Sequence, residues 1–111
     1  VSFGSDGASF SDAKIFDEWG THPRAFGTFA RAIGRYGREE KLVPLEEIVR
    51  RMTSLPATNL GIEDRGRLRI GYYADLAIFD AKEVIDRATY DEPKLYATGM
   101  RYVLVNGVPV L

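Results

Sequence analysis

RYVLVNGVPVL, residues 101–111, fixes the kind of sheet this chain builds. An apolar run through Val105 meets Asn106-Gly107, and Val108 to Leu111 returns. A type I′ turn needs positive φ at both central residues, which Asn and Gly adopt at low cost, so the dipeptide predicts a hairpin between adjacent antiparallel strands. Pro109 has no N–H to give to a ladder, which places it at an edge or where no donor is required. Upstream, GRLRIGYYADLAIFD (66–80) has turn-formers at Gly66 and Gly71, then a β-prone run that Asp80 stops, a further strand. The second half of the chain is therefore expected to be mainly sheet.

Before residues 61–66 the apolar spacing becomes helical. Phe26, Phe29, Ala30 and Ile33 recur three and four apart and share one helix face. Gly34 and Gly37 weaken that helix and put its end near Arg38. In PLEEIVRRMT (44–53), Pro44 suits a first helical turn, and Leu45, Ile48, Val49 and Met52 form an apolar stripe. Glu46 and Glu47 precede Arg50 and Arg51 by one helical turn, each such pair being worth about 0.2–0.5 kcal/mol. Ser54 can cap a further short turn begun by Leu55-Pro56, and Gly61 can end it in a left-handed conformation. At the start, Val1 to Gly4 resembles the end of a buried strand, and GSDG supplies its turn. Residues 8–25 form a long connection broken by Asp, Gly and Pro, and long ordered connections are often functional loops.

Composition narrows the function classes. The 111 residues are 45% hydrophobic and 12% aromatic, an ordinary globular balance. Fifteen Lys and Arg against sixteen Asp and Glu give a net charge of −1, with no general attraction to nucleic acid or an anionic membrane. Arg65, Arg67 and Arg69 stand beside Glu63 and Asp64, a charged edge or loop rather than a phosphate-binding stripe. Without a basic groove, Tyr72, Tyr73 and Tyr102 are expected to pack on strands. Gly61, Gly66 and Gly71 match neither GxGxxG nor a P-loop and set turns. There is no cysteine, hence no disulfide, thiolate nucleophile or zinc–cysteine site. No apolar run reaches the roughly 18 residues of a membrane-spanning helix. A cytoplasmic protein is the expectation. The chain starts at Val1, inside what reads as a strand, so a truncated or cleaved chain is expected too. A boundary near residue 62 leaves two halves, each below the roughly 70–80 residues at which a core alone suffices.

GSDG, HPRAFGTFARAIGRYGRE, LEEIVRRMTSLPATNLGI, DRGRLRIGYYADLAIFD and YVLVNGVPV follow one another across nearly the whole chain. In that order they resemble the C-terminal portion of the N-acyl-D-amino-acid deacylases, or D-aminoacylases, of the amidohydrolase superfamily. The resemblance implies an α/β protein with a β-rich C-terminal segment, a fragment of a metal-dependent hydrolase (β/α)8 barrel plus part of its accessory β domain. Residues 1–62 would then hold the last barrel strand, an active-site loop and the following helices, and 63–111 the contribution to the accessory domain. A whole barrel needs about 250 residues, so the missing N-terminal region or another chain is expected to complete the fold.

The same resemblance implies a zinc-dependent enzyme cleaving N-acyl-D-amino acids to a carboxylate and a D-amino acid, inactive as this isolated chain. Barrel enzymes place catalytic groups at the C-terminal ends of strands, where Asp6 would stand. By resemblance Asp6 is the proton-transfer residue and also a candidate metal ligand. GSDG alone favours a turn whose Asp accepts backbone N–H bonds, and the ordered resemblance across the rest of the chain reverses that preference. His22, the only histidine, is open in isolation to three roles: metal ligand, general base or surface loop residue. One histidine cannot make the three-ligand set usual at catalytic zinc, and most zinc ligands are expected outside this chain. Within the resemblance, Arg24 matches an arginine that binds the substrate's free carboxylate, which a guanidinium can grip with two hydrogen bonds, while His22 and Pro23 shape the loop. The stretch ASFSDAKIFDEWGT (8–21) looks longer and more aromatic than the family's loop, and Phe10, Phe16 and Trp19 would narrow the pocket or pack the loop down. Two alternatives stand beside this reading. A related amidohydrolase acting on a cyclic amide would share the aspartate without needing Arg24, and a structural or interaction module would have lost catalysis.

Overall fold

Pro23 opens the first helix. Its carbonyl accepts the amides of Phe26 (3.1 Å) and Gly27 (3.0 Å), and α1 runs over Arg24–Arg31. The computed structural model describes residues 1–8 and 20–111. From α1 the chain continues without a break into a π-helical segment, Ala32–Glu39, in which the Glu40 amide reaches back to the Arg35 carbonyl at 2.9 Å. Its end at Glu39 matches the expected stop near Arg38, but the glycines do not act as weak points. A Cβ at Gly34 would lie 2.5 Å from the Val84 carbonyl oxygen, and one at Gly37 would lie 2.5 Å from Ile48 Cδ1. Both are places where the helix comes against its neighbours.

Helix α2, Leu45–Met52, starts after an extended Pro44. Ile48 is buried at 1%, while Leu45 and Val49 stay 38% and 37% exposed, so the apolar stripe is only half covered. Glu47 takes both arginines, Arg50 at 2.6 Å and Arg51 at 2.7 Å, in place of the two parallel pairs expected with Glu46. Hydrogen bonds from Arg50 and then Arg51 hold the Glu47 carboxyl down at about 2. Helix α3, Ser54–Asn59, follows, and Gly61 closes the turn at φ +64°.

The expected hairpin forms. Strand β1 (Leu76–Phe79) pairs antiparallel with β2 (Met100–Val105), which pairs antiparallel with β3 (Val108–Pro109), in the order β1-β2-β3. Asn106 and Gly107 take φ +52° and +79°, as a type I′ turn requires, and Pro109 lies on the outer strand. Asp75 Oδ1 accepts the Asn106 amide at 2.9 Å, and Arg65 bonds both Asp75 and the Asn106 side chain. The backbone donor and the guanidinium hold the Asp75 carboxyl below its usual range. Tyr72 and Tyr73 precede β1 rather than lying in a strand, with Arg65 4.1 Å above the Tyr73 ring.

Between β1 and β2 the chain supplies the most buried side chain among the described residues, Val84 at 0%. Val84 joins Ala32, Ile33 and Ile48 in the core, with Phe3, Val43, Met52, Phe79 and Met100 packed around it. Arg38 Nη1 ties the helix to this segment through the Val84 carbonyl at 2.7 Å. Arg31 does the same through Asp86 at 2.8 Å. The core therefore draws on both sides of residue 62.

Residues 1–4 make no strand pairing among the described residues. A strand needs a paired backbone, and here the Phe3 amide donates instead to the Arg51 carbonyl, one of the unused acceptors at the end of α2, at 3.2 Å. The described residues make an α/β arrangement of helices and one three-stranded sheet, with neither a closed barrel nor a complete accessory domain.

Candidate active site

The GSDG turn is pressed against the start of α1. A Cβ on Gly7 would lie 3.0 Å from the Ala25 Cα, so glycine permits the approach. The side chain that serves the turn is Ser5, whose Oγ accepts the Gly7 amide at 3.2 Å. Asp6, at φ +50°, is thereby free to point its carboxylate elsewhere. It meets the Arg24 guanidinium, Oδ2 to Nη2, at 3.0 Å.

Arg24 is the first residue of α1, where the amides of a helix have no partner within it. Its own amide donates to His22 Nδ1 at 3.1 Å, while the Ala25 amide donates to the His22 carbonyl at 3.0 Å. The other ring nitrogen, Nε2, lies 3.1 Å from the Tyr90 hydroxyl, and the two rings stand edge to face with centroids 5.1 Å apart. Asp6, Arg24, His22 and Tyr90 thus form one connected string from three separate parts of the chain.

The structure brings the two sequence-derived site residues, Asp6 and Arg24, into contact. It adds Tyr90, which no spacing signal links to His22 across 68 residues. The aromatic positions Phe10, Phe16 and Trp19 lie outside the described residues. The Asp6 side chain is 88% exposed and that of Arg24 45%, so both are open to a ligand. A carboxylate there can accept and return a proton. A guanidinium has five donors, enough to hold Asp6 and a second carboxylate.

A metal is another matter. Among the described residues no group of three or more His, Cys, Asp and Glu side chains could hold an ion. Asp6 brings a carboxylate and His22 is already engaged at both nitrogens. This donor set does not fit a catalytic zinc, which needs three protein ligands.

Comparison with known proteins identifies the family. The model of the "Amidohydrolase family" matches residues 1–111. The N-acyl-D-glutamate deacylase of Alcaligenes xylosoxydans xylosoxydans is 53% identical over 89 residues, 80% of this chain and 18% of that protein. The D-aminoacylase of the same organism is 47% identical over 100 residues, 90% of this chain and 20% of that protein. The crystal structure of N-acyl-D-glutamate deacylase from Bordetella bronchiseptica, complexed with zinc and a phosphonate mimic of the tetrahedral intermediate, superposes with a TM-score of 0.88 at 45% identity. That match covers 99% of this chain and 22% of the other. The chain spans about a fifth of the length of the curated relatives it matches. With a family model matched from end to end, the chain belongs to the amidohydrolase family and is homologous to its D-aminoacylases and N-acyl-D-amino-acid deacylases.

Proposed function

We propose that this chain supplies the proton-transfer and substrate-carboxylate side of a zinc-dependent N-acyl-D-amino-acid deacylase. The observation that carries the reading is the 3.0 Å contact between Asp6 and Arg24, a candidate base beside a candidate carboxylate clamp. Asp6 takes a proton from water as the water oxygen attacks the amide carbonyl carbon. It returns that proton to the nitrogen as the C–N bond breaks, leaving a carboxylate and a D-amino acid. Arg24 binds the free carboxylate of the amino-acid part and so sets the amide at a fixed distance from Asp6. Groups outside the described residues are proposed to hold the zinc.

In this reading the chain is the C-terminal portion of a longer enzyme. Residues 1–62 are proposed to belong to the end of the barrel and 63–111 to the accessory β domain, completed by the rest of that protein. A cytoplasmic location is part of this reading, with which a chain lacking cysteine agrees.

Replacing Arg24 by Met in the complete protein tests the substrate class. Losing one charge-assisted contact is worth about 1.5–3 kcal/mol, roughly ten- to hundredfold. Turnover of an N-acyl-D-amino acid should fall by that factor, and turnover of its carboxamide analogue much less, at unchanged zinc content and folding. Equal losses on the two substrates reject the clamp and favour an amidohydrolase without a carboxylate handle, such as one acting on a cyclic amide.

A further inference from the structure

We propose that His22 is the positioning residue for Arg24, and that Tyr90 fixes the His22 ring in the orientation this requires. The inference rests on the carboxylate-binding role given to Arg24 above. A backbone amide can only donate, so the 3.1 Å contact from the Arg24 amide makes His22 Nδ1 the acceptor. A neutral imidazole then carries its hydrogen on Nε2, which donates to the Tyr90 hydroxyl 3.1 Å away. The two contacts engage both ring nitrogens and restrict the rotation of the ring. The two rings also stand edge to face with centroids 5.1 Å apart, which adds a ring contact to the hydrogen bond.

The consequence falls on Arg24. A side chain usually supplies the acceptor for unused amides at the beginning of a helix, commonly Ser, Thr, Asp or Asn. Pro23 stands at the cap position of α1 and makes no such side-chain bond. His22 Nδ1 fills the role one residue earlier, on the amide of Arg24 itself. The backbone torsions from which the Arg24 side chain leaves are therefore set by the ring, and the ring by Tyr90, 68 residues on.

Two substitutions at His22 separate the nitrogens in the complete protein. Asn places a polar atom one bond beyond Cγ, where Nδ1 stands, and Gln places one nearer to Nε2. His22→Gln should raise KM for an N-acyl-D-amino acid about tenfold, the scale of one lost hydrogen bond, with a smaller effect on the carboxamide analogue. His22→Asn should stay within about threefold of the parent, because the acceptor is retained. Tyr90→Phe should raise KM about threefold, and adding it to His22→Asn should change nothing further, since the ring it steadies is gone. Equal losses in the Asn and Gln variants, or equal losses on acid and carboxamide, overturn the proposal. A second readout is independent of turnover. With selectively 15N-labelled histidine and arginine, long-range 1H–15N spectra should show His22 protonated at Nε2 and not at Nδ1, and Tyr90→Phe should move the Arg24 amide resonance. A ring protonated at Nδ1, or an unmoved Arg24 amide, sinks the positioning role even in an active enzyme. A parent protein inactive on N-acyl-D-amino acids removes the deacylase reading and leaves these spectra to decide the His22–Tyr90–Arg24 linkage.

Discussion

Asp6 is held in a left-handed backbone conformation at φ +50°, a region that Asp tolerates better than most residues. Its carboxylate is not spent on its own turn, because Ser5 accepts the Gly7 amide. That separation gives Asp6→Asn a clear meaning. The substitution keeps the size and the tolerance for positive φ but cannot hold the proton. Turnover in the complete protein should fall by about 10²- to 10⁴-fold, the usual contribution of a general acid–base group. Folding and zinc content, measured on the same sample, should be unchanged. Activity equal to the parent's at equal zinc content would return Asp6 to the role of turn-former. At this scale the sequence was informative where short motifs, GSDG and HPR, marked Asp6 and Arg24, which the fold brings within 3.0 Å of each other. Tyr90 was invisible, since a hydroxyl that meets His22 through tertiary folding leaves no local pattern. The contact of Asp6 with Arg24 was equally out of reach, because the long stretch between them has no periodicity from which to infer its path.

At the scale of elements, helix α2 and the hairpin followed from spacing and turn chemistry, because both are decided by neighbours in sequence. The glycines in the π-helical segment were not, because propensity counts them as weak points while packing requires them. Gly34 separates the two views. Alanine in place of glycine inside a helix gains about 1 kcal/mol from propensity. Against that, the new Cβ would stand 2.5 Å from the Val84 carbonyl oxygen and 2.6 Å from Ile85 Cδ1. Overpacking of this kind costs about 1–3 kcal/mol, and a backbone oxygen yields less than a side-chain tip. Gly34→Ala should therefore lower the denaturation midpoint of the complete protein. Gly37→Ala should lower it less, since its Cβ meets the end of the Ile48 side chain. A rise in midpoint for Gly34→Ala would show that propensity outweighs the contact. The segment from Asp80 to Gly99 escaped the sequence reading for a related reason. Its deepest residue, Val84, sits in AKEVIDR, where one apolar pair among charges suggests surface, and only the facing helices make it core.

Across the whole molecule, the buried apolar set among the described residues is Ala32, Ile33, Ile48, Ala57, Val84 and Ala88, three of them alanines. Set against it are Ile70 at 103% exposure, Leu68 at 87%, and Val108, Val110 and Leu111 at 61–65%. A fully buried Val or Ile side chain contributes about 1.5–3 kcal/mol and an alanine much less. Ordering the backbone costs about 1–2 kcal/mol per residue. Three large buried side chains with partly buried neighbours are a small core against that cost, and the exposed apolar edge of the sheet contributes nothing until something covers it. The chain also spans about a fifth of its curated relatives. Expressed alone, it should unfold in urea over a broad, weakly cooperative range and bind a hydrophobic dye before denaturant is added. The complete protein should show a sharp transition and little dye binding. Because a self-associated chain could cover the same apolar edge, the measurement needs sedimentation at micromolar concentration beside it. A monomer with one sharp, cooperative transition would show that these residues stabilise themselves, and the partner region would then be needed for chemistry alone.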